Sequence, residues 1–191
     1  MKNKFVHYIL FLVVLIISSC RDYSPKPRGY PHFDLTQSVY QQWDQSTEFS
    51  FSLSEQSKIL NKRDSLNYEW FDIRYPALDA TIHCSYVFAA PGSFAPIEEE
   101  SRKFVYFHVQ KAQQFQEQLF ENPEENMYGV VYKIEGNVAS PLQFVLTDSI
   151  RSIFRAALYF DQVPNRDSIA PVVSYINRDI QTIIESFRWK R

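Results

Sequence analysis

The residues of this 191-residue chain able to take part in covalent or metal chemistry are few: two cysteines, four histidines and scattered carboxylates. Cys84 lies in the alternating run Ala80-Thr81-Ile82-His83-Cys84-Ser85-Tyr86-Val87-Phe88, whose period of two sets Cys84 with Ala80, Ile82, Tyr86 and Phe88 on one strand face. A thiol in that company packs as a small hydrophobe, and nothing near it marks a thiolate site. His83 falls on the opposite face with Thr81 and Ser85. His108 stands in a stripe with Phe104, Ala112, Phe115 and Leu119, where a histidine is expected at the core edge, satisfied by a carbonyl or a tyrosine. A pocket near His83 and His108 is where an envelope hydrolase or a small-ligand site would form. His-x-x-x-His spacing and a third ligand are missing, so no metal is expected. Glu98-Glu99-Glu100 and Glu121, Glu124 and Glu125 read as solvated helix ends and loops rather than a catalytic pair. The sequence has no Gly-x-Ser-x-Gly, His-Glu-x-x-His, Cys-x-x-Cys or nucleotide-binding glycine pattern, and its four glycines leave no material for a phosphate loop. No catalytic residue and no cofactor is indicated.

The other cysteine carries a stronger signal. Lys2 and Lys4 precede an apolar run, Ile9 to Ile17, that stops at Ser18-Ser19-Cys20, the charge, apolar stretch and small-residue end of a secretory signal. The run is shorter than the ~20 apolar residues needed to cross a ~30 Å hydrocarbon core. Ile17-Ser18-Ser19-Cys20 is similar to a bacterial lipobox, which implies that residues 1–19 are removed and Cys20 is acylated as the mature N-terminus. Each buried CH₂ contributes ~0.8 kcal/mol, so two or three acyl chains hold a protein stably on a membrane. Cys84 is then the one thiol left, and no internal disulfide can form.

The elements that must position these residues come in order along the chain. Pro25, Pro27 and Pro31, with Lys26 and Arg28, make residues 20–37 an extended tether, and residues 38–191 are expected to form a single domain. The formal net charge is −2, without a basic block, which argues against a nucleic-acid partner. Forty-five per cent hydrophobic residues, among them 16 Phe and 12 Tyr, suffice for a packed core. Phe49, Phe51 and Leu53 alternate with serines as a strand should, Trp70 to Tyr75 alternates up to Pro76, and Ala80 to Phe88 follows as its hairpin partner. Val39 to Trp43 is ambiguous, and Ser54 to Asn67 reads as a loop or short helix. Pro96 with the following glutamates starts a helix that the Phe104-to-Leu119 stripe carries to Asn122-Pro123. Met127 to Ile134, Leu142 to Thr147 and Phe154 to Phe160 form an antiparallel meander. From Ser168 a helix carries Ile169, Val172, Val173, Ile176, Ile180, Ile183, Ile184 and Phe187 on one side, with Pro171 in its first turn. The fold expected is α+β: an antiparallel sheet of about six strands with two main helices packed on it. A PsbP-like α/β/α sandwich has a similar order and a comparable ending to Ser186-Phe187-Arg188.

Three connections offer residues suited to recognition: Arg74 beside Pro76, Asn137 in the Gly136-Asn137 turn, and Arg166 before the last helix. Each type also serves its backbone, as strand stop, turn or cap. Arg74 and Arg166 are the best contact candidates because a guanidinium fork suits interface carboxylates.

Trp70-Phe71-Asp72-Ile73-Arg74-Tyr75-Pro76, Tyr128-Gly129, Gly136-Asn137-Val138-Ala139-Ser140, Thr147-Asp148-Ser149, Leu158-Tyr159-Phe160, Pro164-Asn165-Arg166-Asp167-Ser168 and Phe187-Arg188-Trp189-Lys190 together resemble the GldD gliding-motility lipoprotein family of the Bacteroidetes. The likeness runs in order through nearly all of the mature chain. It implies a lipoprotein of the cell envelope, periplasm-facing on the outer or inner membrane, needed for gliding and tied to the type IX secretion apparatus. Its partners would be the membrane, through the lipid, and other proteins of that machinery. The resemblance implies no catalytic residues.

Overall fold

The computed structural model describes residues 35–110, 112–161 and 166–190, leaving aside the side chains of 61, 108 and 166–168. All belong to one compact unit. The signal segment, Cys20 and most of the proline-rich tether lie outside the described residues.

Among the described residues the chain forms strands β1 (Tyr40–Trp43), β2 (Phe49–Ser54), β3 (Lys58–Ser65), β4 (Tyr68–Tyr75) and β5 (Ala80–Phe88), helix α1 (Phe94–Val109), strands β6 (Gln114–Asn122), β7 (Met127–Glu135), β8 (Leu142–Thr147) and β9 (Ser152–Phe160), helix α2 (Arg166–Ser186) and a short β10 (Arg188–Trp189). Seven strands make the main sheet in the order β3-β4-β5-β9-β8-β7-β6, and β1-β2-β10 make a second, small sheet. Every pairing is antiparallel. The class is α+β with two main helices, and the expected hairpin β4–β5 and meander β7-β8-β9 are present.

The expectation of about six strands is exceeded, for identifiable reasons. The stripe expected to carry the first helix to Leu119 stops at Val109, and residues 114–122 pair with β7 as an edge strand. A spacing of four, as between Phe115 and Leu119, is one helical turn and also two strand repeats, so it serves either period. Lys58 to Ser65 is not a loop but the opposite edge strand, bulged between Leu60 and Arg63. Its lysines, arginine and aspartate are the residues that keep an exposed edge from pairing with other chains. Pro171 falls in the second turn of α2 rather than the first, because the helix begins at Arg166.

Strand alternation gives the main sheet two different faces. One presents Phe71, Ile73, Ile82, Cys84, Tyr86, Phe144, Leu146, Phe154 and Leu158 to the small sheet and α2, and all are buried. On α2, Val172, Tyr175, Ile176, Ile180, Ile183 and Ile184 recur at helical spacing and are buried in turn. Phe187 plugs the centre: its ring centroid lies 5.2 Å from Phe154, 5.4 Å from Phe49 and 4.7 Å from Trp189. Rings at such separations add to the area they bury. The other face lies under α1, whose Ser101 and Val105 are buried while Phe104, Tyr106 and Phe107 stay exposed.

Candidate functional site

The α1 face of the main sheet is built in rows. Register aligns Tyr132, Gln143, Ala157, His83 and Asp72 across β7, β8, β9, β5 and β4. The next row holds Val130, Val145, Arg155, Ser85 and Trp70. Ala157 lacks the bulk to fill the space between Gln143 and His83, and α1 roofs the hollow with Ser101, Phe104 and Val105. The result is a cleft of about 380 Å³, mostly apolar in its walls, within the size range of small-molecule sites.

Two polar groups in this cleft lack partners among the described residues. Gln143 is 6% exposed, and its Nε2 is buried without a hydrogen bond. The same holds for Nε of Arg155. The Arg155 guanidinium carbon stands 5.4 Å from the centroid of the Phe104 ring, a cation–π contact that leaves the in-plane donors free. Burial pushes the Arg155 guanidinium below its usual value, with the charge of Glu100 opposing the shift. A buried donor left unpaired costs about 1–3 kcal/mol, more for a charged group.

The histidines divide. His83 is on the cleft rim, its Nδ1 2.6 Å from Asp72 Oδ1 and its ring 5.3 Å from that of Tyr159. His108 lies in the last turn of α1, and its side chain is outside the described residues. Cys84, on the other face, is 4% exposed, and burial pushes its thiol well above the usual range, as suits a structural thiol. Among the described residues no group of three His, Cys, Asp or Glu converges as a metal site.

The recognition candidates sit at one end of the sheet, where β4, β7 and β9 finish and β5 and β8 begin. Arg74 donates from Nη1 and Nη2 to the two oxygens of Asp161, each at 2.6 Å, and from Nη1 to Thr81 Oγ1 at 3.0 Å. Its fork is therefore engaged within the chain, fastening β4 to the exit of β9. Asn137 is exposed in the β7–β8 turn, after Gly136 at φ 126°. Arg166 is the first residue of α2, with its side chain outside the described residues.

Sequence reasoning missed Arg155 and Gln143. The signal was present in Phe154-Arg155-Ala156-Ala157-Leu158-Tyr159: alternation opposes a charged residue, a small one and a tyrosine to a fully apolar set, which is unusual for a strand that helices cover on both sides.

Fold and cleft together define a layered α+β domain, with a helix-roofed hollow on one sheet face and an aromatic core on the other. The chain belongs to the gliding motility lipoprotein GldD family, whose model matches residues 20–189. It is accordingly a membrane-anchored lipoprotein connected with gliding motility. No curated protein matches the chain.

Proposed function

We propose that the protein is a non-enzymatic assembly or stabilising component of the gliding machinery and the type IX secretion apparatus linked to it, held on the periplasmic side of an envelope membrane by acylated Cys20. The observation that carries this reading is the family match, which begins at residue 20 and runs to 189. The end of the sheet supports it, because the backbone brings Asn137 of the β7–β8 turn and the start of α2 at Arg166 to the end where β4 and β9 finish, and loops carry recognition while the sheet holds them fixed.

The environments of the nucleophile candidates agree with a non-catalytic role. Cys84 is buried, and burial pushes its thiol well above the usual range. Ser85 stands two residues from His83 on the same strand face, about 6.6 Å along the strand, farther than a hydroxyl and its general base need to be.

The test is co-purification from a gliding host. The full-length chain with a C-terminal tag is crosslinked in cells and compared with Cys20→Ala, Asn137→Ala and Arg166→Ala by mass spectrometry of the bound proteins. Recovery of motility or secretion components, lost from the membrane fraction with Cys20→Ala and reduced by either loop variant, is the expected result. A correctly lipidated and folded protein that captures nothing above background overturns the reading.

A further inference from the structure

The cleft under α1 has a composition that an assembly surface does not call for, and a ligand held there is independent of the assembly role. Its apolar walls include Phe104, Val105, Val145 and Ala157, with His83, Ser85 and Tyr159 also on its lining, and its unpaired buried groups, Nε of Arg155 and Nε2 of Gln143, are both donors. Unpaired buried donors favour an acceptor ligand. The Nε–H of arginine and one Nη–H form an edge that takes both oxygens of a carboxylate side-on. Gln143 is a diagonal neighbour of Arg155 across β8 and β9, since Gln143 faces Ala157 and Val145 faces Arg155 in the register. Diagonal neighbours stand about 7–8 Å apart, a gap that a carboxylate fills when it accepts from both sides.

Charge narrows the class. Arg155 is the one lysine or arginine among the described residues lining the cleft, and the carboxylate of Glu100 is close enough to act on it. With a single guanidinium partly offset by Glu100, a dianion such as a phosphate monoester would leave more charge uncompensated among apolar walls than a monoanion does. We propose that this cleft binds a monoanionic carboxylic acid with an apolar body, its carboxylate between Arg155 and Gln143 and its body on Phe104, Val105, Val145 and Ala157. The acid is either a free small molecule or the carboxyl end of a chain with an apolar last residue.

The experiment uses the full-length lipoprotein in nanodiscs, with empty discs as the blank, and isothermal titration calorimetry. One arm titrates 4-phenylbutyrate and its amide; the other titrates N-acetyl-leucyl-phenylalanine as the free acid and as the C-terminal amide. Saturable 1:1 binding of an acid, at least about tenfold tighter than that of its amide, is expected. Binding in the first arm alone identifies a free acid, and binding in the second alone a chain terminus. Arg155→Met abolishes the preference while leaving the melting temperature unchanged or raised, because it removes a desolvated charge that has no hydrogen-bonded carboxylate. Arg155→Lys keeps the charge but loses the side-on edge, and weakens acid binding in a protein that folds. Absence of saturable acid binding, equal binding of acid and amide, or a preference that survives both substitutions overturns the proposal.

Discussion

Arg74 and Arg155 stand on the same sheet face, two strands apart, and meet opposite fates. Arg74 has the Asp161 carboxylate on both its terminal nitrogens, and the hydrogen bond to Arg74 is the main reason the Asp161 carboxyl is held below its usual range. A carboxyl depressed in the folded state contributes stability above its unfolded value, and that contribution is lost as the pH falls through the folded value. The unfolded carboxyl takes its proton near pH 4, so the Arg74–Asp161 contribution is complete at neutral pH, begins to fall near pH 4 and is gone only below the lower folded value. Asp161→Asn should therefore lower the melting temperature slightly at pH 7, the pair being exposed, and by less at pH 3. Thermal melts of the two proteins at both pH values check this, and an equal difference at both values would contradict it. Arg74 was legible in the sequence as a fork beside a strand end. Its partner was not, because Asp161 lies 87 residues away and only the pairing of β4 with β5 and of β5 with β9 brings the two together.

The elements are fastened by a few such long-range contacts. Asp179 of α2, 1% exposed, accepts hydrogen bonds on Oδ1 from Ser38 Oγ and Tyr40 Oη, both at 2.7 Å. Ser38 Oγ, whose single proton serves one acceptor at a time, also lies 2.8 Å from Tyr175 Oη, which donates to Gln56 Oε1 at 2.6 Å. The last helix thereby clasps the segment that leads into β1. Asp179→Ala should cost about 2–3 kcal/mol in urea unfolding, since it removes bonds to a buried charged acceptor, and should speed proteolysis between residues 35 and 43. Asp179→Asn, which keeps an acceptor oxygen, should lose less. Within the main sheet, a Cβ on Gly129 would lie 2.6 Å from the Val145 carbonyl oxygen and 2.7 Å from Leu146 Cδ2. The methyl of Gly129→Ala must push β7 from β8, at a cost of about 1–3 kcal/mol, measurable by the same unfolding curve. A neutral effect would mean that the strands separate freely there. Most elements could be read directly: β5 and β8 have the expected limits, Ala80–Phe88 and Leu142–Thr147. The failures were at the edges, β3 and β6, where a strand buries little and its sequence keeps a weak period.

For the whole molecule, the sequence announced the address more clearly than the interior. A signal peptide and its cysteine are read locally, residue after residue, and so is the amphipathic α2. The cleft is not local: it draws on α1, β5, β8 and β9, and its two unpaired donors acquire meaning only when the strands that carry them lie side by side. The same is true of the core, where Phe187 joins rings from β2, β9 and β10. Deleting residues 187–191 should therefore unfold more than the tail. Loss of a buried phenylalanine alone costs about 3–5 kcal/mol, a large part of the ~5–15 kcal/mol available to a domain. Circular dichroism of the shortened protein is expected to show a lost or strongly lowered melting transition, and retention of the full transition would assign the tail a dispensable role.

The small sheet has one more consequence, in time rather than in energy. Its middle strand, β2, is flanked by β1 from just upstream and by β10 from near the other end of the sequence: Phe49 pairs with Trp189 and Ser50 with Arg188. Closing so wide a loop is entropically costly and slow compared with local pairing. During synthesis β1 and β2 must wait, unfinished, until β10 has followed them. The small sheet thus stays open while the strands of the main sheet emerge, and locks only after β10 has arrived.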